Sequence, residues 1–458
     1  MAVQRQKREN FGSRWAVILA MAGSAIGLGN IWRFPYMVGE HGGAAFVLLY
    51  VLCTVLISLP VFIAEVMIGR RSRSNSFASM SGLKPGCKIW VFAGWLSIII
   101  PLLISSYYSV IGGWSLEYLF KACSAQFVRV GPEAAEAGFP AFISSPWRPL
   151  MFHLLFMGAC AFIVARGVRS GIEKFSKLSI PVLFFLIVGM MVYSLFLPGA
   201  GEGVKYLLKP DFSQITARSF ANALGQSFYS LSLGMGAIIT YGSYVHKDED
   251  IVVSSAGTAV SDLLFACLAG LAIMPAVFAA GIEPGAGPGL IFQSIPFIFS
   301  SLGTSLPVLS TVASIAFFLA VVVAAMTSLI SLFEVGVSFL GEHFGIGRRK
   351  GAVILFVLCG AIGSLCSLSF GPLSGITFKG MNIFDICDQF CSNILLLVLA
   401  FITVIFAGFA LDREDVRDEI TNGGTKPGNG RLFPVIYFII KWVAPIAIAV
   451  IFITNFIL

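Results

Sequence analysis

Eleven stretches of this sequence are apolar over the length of a membrane-crossing helix, about 20 residues, and that recurrence limits the fold before any motif is read. They lie near residues 15–37, 43–69, 89–120, 149–165, 175–197, 219–245, 252–280, 306–340, 351–370, 383–411 and 433–457. Hydrophobic residues make up 57% of the 458 and charged residues only 12%, where soluble domains carry about 25% charge. The expected protein is an all-α polytopic membrane protein, with residues 1–458 as one transmembrane domain and no loop large enough for a soluble catalytic module.

The loops set the orientation. With a cytoplasmic N-terminus, 21 of the 30 basic residues fall in segments on the inner side and 8 on the outer side, and Lys441 lies inside the last span. Lys and Arg favour the inner side, which predicts a multi-pass protein of the plasma (inner) membrane with its N-terminus cytoplasmic and its C-terminus outside. The lipid bilayer is then a partner, and the net charge of +7 needs no nucleic acid to explain it. The nine cysteines sit mostly within spans and the four histidines are scattered, a pattern without metal-ligand spacing.

Two spans are interrupted. Residues 23–35 of the first read GSAIGLGNIWRFP, glycines and polar groups ending in arginine where hydrocarbon offers no hydrogen-bond partner. Unwound backbone survives at that depth only where it is buried or lines a polar cavity, and a packing face needs neither Asn30 nor Arg33. The sixth span carries a matching interruption, SLSLGMG at residues 230–236. First and sixth are corresponding members of two five-span halves, about 15–197 and 219–411, and an odd number of spans turns the second half over. Paired broken helices so placed point to a binding site between inverted repeats; residues 433–457 add an eleventh helix.

Broken helices present N-terminal amides to an anion and C-terminal carbonyls to a cation, so one site can hold a carboxylate beside sodium. Oxygen donors suited to a hard cation are Asn30, Ser230, Asp262, Thr327 and Ser328. Asp262 is costly in a span unless paired or neutral, and once emptied of sodium it would be open to a proton. Glu65 reads as an acceptor for the free amides of a broken helix, and Glu334 as a structural or proton-linked group. Tyr107 and Tyr108 together suggest a pocket wall. Ser230, Ser232 and Ser328 have no histidine in a matching span, so the nucleophile and base of an enzyme are lacking.

Taken together, GSAIGLGNIWRFP, QSFYSLSLGMG, YGSYVHKDED and AAMTS resemble the neurotransmitter:sodium symporter family, in its bacterial amino-acid branch, over nearly the whole chain. The resemblance implies a leucine-transporter-like fold, with 5+5 inverted repeats and broken helices one and six, and sodium-coupled import of an amino acid by alternating access. It implies two sodium sites, the first from Ala25, Asn30, Ser230 and Asp262, the second from Gly23, Ile26, Ala324, Thr327 and Ser328. The substrate carboxylate would meet the Leu28 and Gly29 amides and the Tyr108 hydroxyl, and its amino group the carbonyls near Ala25, Tyr229 and Ser232. Its side chain would lie among Ile104, Tyr229, Ser232, Met235, Ser328 and Leu332, with Ser24, Gly27 and Ser230 completing the set.

Gly27 stands where monoamine carriers of the family place an aspartate, so the resemblance favours an amino acid whose own carboxylate completes the first sodium site. Met235, a flexible wall where a relative has phenylalanine, implies a hydrophobic, even aromatic, side chain. Chloride-dependent relatives have asparagine at the Asp262 position; with Tyr50, Gln226 and Ser230 matching the rest of that anion site, Asp262 implies chloride independence. The same resemblance pairs Arg33 with Asp385 as an outer gate and Arg8 with Glu342, near Tyr244, as an inner one, although Phe11 replaces the usual tryptophan there. Residues 171–181, GIEKFSKLSIP, match a spacing that lets the fifth helix of relatives unwind toward the second sodium site. Residues 283–299 read as a hairpin over an outer vestibule. Many relatives have a twelfth helix, which leaves the oligomeric state open. The alternative is a membrane sensor or channel that binds sodium and amino acid without coupled transport.

Overall fold

In the computed structural model, residues 10–281 and 291–457 are described, and their regular structure is helical apart from one isolated bridge between Phe378 and Met381. Among the described residues nine helices are long and apolar enough to cross a membrane: Ala44–Ser72, Lys88–Cys123, Arg148–Ala165, Val168–Leu195, Ile251–Ala279, Pro307–Phe344, Arg348–Leu368, Ile383–Ala410 and Pro427–Thr454. The pair Arg14–Ala25 and Gly29–Glu40, bent by 53°, makes a tenth. The remaining expected span divides into Ala217–Ser230 and Ala237–Gly242, and unwinding between the halves leaves neither long enough to cross. Numbered along the chain these are spans 1 to 11, with spans 1 and 6 broken.

Local chemistry sets the helix starts. Ser13 caps span 1 by accepting from the Ala16 amide at 3.2 Å, and Thr216 and Ser219 form a capping box at the head of span 6. Asp250 accepts from the Val252 and Val253 amides at the head of span 7, both at 3.1 Å. Each satisfies backbone donors that the first turn leaves free. Spans 3 and 8, of 36 and 38 residues, are the longest and run together through the centre. Helices in lipid gain little from apolar contact alone, so polar ties carry weight. His153 of span 4 supplies one, with Nδ1 3.1 Å from Ser109 Oγ of span 3 and Nε2 3.4 Å from the Gly360 carbonyl of span 9.

The segments expected as loops hold shorter helices: Gln126–Arg129, Pro132–Ile143 and Ala200–Leu208 on one side, Arg413–Thr421 on the other. Residues 283–290 of the expected hairpin lie outside the described residues; its remainder opens helix Ser294–Gly303, which buries Ile295, Ile298 and Phe299. Helix Arg413–Thr421 acts as a strap. Buried Arg70, at the end of span 2, donates Nε to Glu419 Oε2 and Nη1 to the Glu249 carbonyl, both at 2.7 Å. Asn422 Nδ2 reaches the same Glu249 carbonyl at 2.9 Å, and Asn429 Nδ2 reaches Asp250 Oδ1 at 2.9 Å.

Candidate functional site

Span 1 stops being helical at Ile26, whose ψ of 105° is extended, and resumes at Gly29. The carbonyls freed there find side-chain donors. Ser24 O accepts from Ser232 Oγ at 2.9 Å and from Ser328 Oγ at 3.3 Å, and Ile26 O accepts from Thr327 Oγ1 at 3.3 Å. On the other side of the break, the Gly27 amide donates to Asn30 Oδ1 at 3.0 Å and the Leu28 amide to the Tyr108 hydroxyl at 3.2 Å.

The break in span 6 uses left-handed backbone, with Ser232 at φ 55° and Gly234 and Gly236 both at 71°. A Cβ at Gly234 would run into the Leu396 carbonyl as well, so both conformation and space select glycine. Its free amide donates to Glu65 Oε1 at 2.8 Å, the kind of partner expected of that buried acid.

Asp262 sits fully buried where spans 1, 2, 6 and 7 meet. Ser230 Oγ lies 2.8 and 2.9 Å from its two oxygens, Asn30 Nδ2 2.8 Å from Oδ1, and Tyr50 donates to Oδ2 at 3.2 Å. The Asn30 amide therefore presents its nitrogen to the carboxylate while its oxygen serves Gly27, and coordination of a cation by that oxygen requires the amide to turn over. Of the residues expected for the anion site, Tyr50 and Ser230 reach Asp262, whereas Gln226 Nε2 goes to the Gly29 carbonyl at 2.9 Å.

A second group of oxygens forms at span 8. Thr327 Oγ1 is 2.9 Å from the Ala324 carbonyl and Ser328 Oγ 3.5 Å from that of Ile26, with Gly23 packed against Thr327.

Between the two groups lies a cavity of about 30 Å³ lined by Ser24, Ala25, Gly27, Gly29, Ile104, Tyr108, Tyr229, Ser230, Ser232, Met235, Ser328 and Leu332. All twelve are among the substrate residues expected from sequence; the thirteenth, Leu28, contributes its amide to Tyr108 without lining the cavity. That volume holds about two waters, so a larger ligand has to part the walls. Hydroxyl and amide groups at Tyr108, Ser24 and the breaks face apolar Ile104, Met235 and Leu332, which suits a small zwitterion with an apolar tail. Ser331 was not anticipated; its Oγ lies 2.8 Å from Ser24 Oγ, and a lone serine on an apolar helix gives no sequence signal.

Arg33 lies over the Tyr229 ring at 5.1 Å. The expected ion pair between Arg33 and Asp385 is not formed among the described residues, and Asp388, one turn on, is near enough to act on Arg33 electrostatically. The Asp385 carboxylate instead closes a capping box with Asn382 at the start of span 10, while Asp388 Oδ1 accepts from Ser392 Oγ at 3.1 Å.

At the opposite end, Phe11 is fully buried edge-on to Tyr241 and Tyr244. Tyr244 donates to Glu334 Oε1 at 2.6 Å, and Arg348 Nη1 reaches the same oxygen at 3.0 Å. Glu342 accepts from the Asn75 amide and Nδ2 at 2.8 and 3.0 Å, and Arg8, its expected partner, lies outside the described residues. Residues 171–181 are helical, and Glu173 just inside them accepts from the Gly12 amide at 2.9 Å.

Residues 8–129 and 141–458 match the model of the Sodium:neurotransmitter symporter family. The chain belongs to that family. An uncharacterized sodium-dependent transporter of Bacillus subtilis, YhdH, is 36% identical over 450 residues, 98% of each chain. Another from Haemophilus influenzae is 35% identical over 466 residues, 99% of this chain and all of that one. The solved structure of MhsT in complex with L-phenylalanine is 40% identical, covers 98% of this chain and 100% of its own, and superposes with a TM-score of 0.89. This symporter-family member is thus a sodium-dependent multi-pass membrane transporter with the leucine-transporter-like fold, and its substrate is a small molecule.

Proposed function

We propose that the protein is a symporter that uses two sodium ions to import a hydrophobic L-amino acid, aromatic ones included, by alternating access and without chloride. The reading rests on one observation: the cavity at the paired breaks lies between an Asp262 oxygen group and a Thr327–Ser328 oxygen group, and its lining combines the polar groups of the breaks and Tyr108 with apolar Ile104, Met235 and Leu332. It is supported by the L-phenylalanine bound to MhsT. With the N-terminus cytoplasmic, sodium entry along the membrane potential supplies about 2.3 kcal/mol per charge per 100 mV, enough for two ions to drive a zwitterion uphill.

The test is uptake of labelled phenylalanine, tryptophan, leucine and alanine into proteoliposomes under an inward sodium gradient, with potassium as control. Sodium-dependent accumulation of the larger apolar amino acids above alanine is the expected result. Saturable binding without accumulation would make the protein a sensor instead. Asp262 supplies a carboxylate of the protein's own beside Tyr50 and Ser230, so replacing chloride by gluconate is expected to leave uptake unchanged, and stimulation by chloride in the unmodified protein would refute that part.

A further inference from the structure

Lys441 has no part in the reading above, yet it is the one charged residue after Arg431 and lies well inside span 11. A cation in a membrane segment is retained only where something compensates it. Its stem rests on span 10: a Cβ at Gly408 would come within 2.9 Å of Lys441 Cα and 3.2 Å of its Cβ. Both helices widen into a π-turn at that contact, Phe406–Ala410 in span 10 and Ile439–Val443 in span 11, and such bulges recur at functional positions. The ammonium group stands over three rings, 4.9 Å from the centre of Phe409, 5.5 Å from Tyr437 and 5.8 Å from Trp442. Tyr437 is itself fixed, its hydroxyl donating to the Gly408 carbonyl at 3.0 Å.

A second cation approaches from the loop side. The Arg413 guanidinium lies 5.9 Å from the same Tyr437 ring and 5.8 Å from Phe433. Neither cation enters an ion pair among the described residues, although acidic residues are plentiful on helix Arg413–Thr421. Aromatic faces offset part of the positive charge, and the described residues supply no carboxylate for the rest, which leaves both cations open to an anion from outside the protein. Phe409, Trp442 and Phe438, exposed by 47%, 51% and 57%, turn an apolar surface outward beside the charges. Gly408 is near the end of span 10 (Ile383–Ala410), which puts Lys441 within snorkelling reach of the headgroup layer on the side of the 412–431 loop.

We propose that the seam between spans 10 and 11 binds an anionic phospholipid, with Lys441 and Arg413 contacting the phosphodiester and the acyl chains lying along Phe409, Trp442 and Phe438. A zwitterionic lipid brings an ammonium of its own, which two unpaired cations disfavour, and free phosphate leaves the exposed rings uncovered. Basic pockets between spans near a membrane surface are suited to such headgroups. The site stands whichever solute the protein carries.

The experiment is native mass spectrometry of the intact, delipidated protein titrated with phosphatidylglycerol or phosphatidylcholine, comparing wild type with K441Q, K441R, R413Q and, as a distant control, K205Q. Expected are preferential retention of phosphatidylglycerol by wild type, K441R and K205Q, and about a five-fold loss of its occupancy for each charge removed by K441Q or R413Q, the scale of one basic residue at an anionic surface. R413Q changes an exposed side chain, so it serves even if K441Q disturbs the packing on Gly408. The proposal is overturned if R413Q and any folded K441Q keep the wild-type preference, if phosphatidylcholine is retained equally well, or if millimolar inorganic phosphate removes the bound lipid signal.

Discussion

At Gly27 a single methyl group would meet both Ser328 Oγ and the Tyr108 hydroxyl, two of the polar atoms that face the cavity. Overpacking of this kind costs about 1–3 kcal/mol, so Gly27→Ala is expected to weaken amino-acid binding by about ten- to a hundredfold while the protein still inserts and purifies. Calorimetric titration checks it, and unchanged affinity would mean that the substrate lies elsewhere. Residues of this sort were legible because their chemistry is local: a glycine, an asparagine and an arginine inside an apolar run announce themselves without a partner. Asp385 and Asp388 show where that stops. Three residues apart, they share a helical face, and sequence gives no means of telling which one faces Arg33. In the structure capping separates them: Asn382 engages Asp385, while Asp388 accepts from Ser392 one turn further on.

Among elements, the end of the bundle at Phe11 is held by a short polar chain, with Glu334 shared between Tyr244 and Arg348. Glu334 is fully buried, and deleting one partner of a buried charge pair costs about 3–5 kcal/mol. A neutral hydrogen bond is worth about 1 kcal/mol. Glu334→Ala should therefore lower the thermal midpoint in detergent by several times the drop caused by Tyr244→Phe; equal drops would show that the charge pair contributes nothing beyond the hydroxyl contact. The glycine-marked break of span 6 was readable from its own sequence. The helices inside 122–148 and 198–218 were not, because runs of 4 to 12 residues are too short to show a period above the surrounding polar sequence.

For the molecule as a whole, span count, parity and the paired interruptions carried the architecture, since each follows from how a bilayer solvates backbone. Ties across distant segments left no such trace. Arg70 and Glu419 are separated by 349 residues, and nothing in either neighbourhood names the other. Arg70 is 2% exposed and joins span 2 to the strap and to the loop after span 6, so Arg70→Ala is expected to destabilise by about 3–5 kcal/mol. Hydrogen exchange should then quicken in helix 413–421 and in residues 245–250 together; exchange rising in only one of them would break the idea of a shared tie.

The lengths of the hydrogen bonds around the helix breaks carry one more consequence. Spans 1, 6 and 7 are knitted by contacts of 2.8 to 2.9 Å at Asn30–Asp262, Ser230–Asp262 and Ser232–Ser24. Their contacts to spans 3 and 8 are longer, 3.2 Å at Leu28–Tyr108 and 3.3 to 3.5 Å at Thr327 and Ser328, with Ser24–Ser331 at 2.8 Å the short exception. The protein thus carries a perforation through its middle, a line along which two bodies can part, with Ser24–Ser331 stitched tight across it at the breaks and Tyr244–Glu334, at 2.6 Å, a second stitch at the end near Phe11.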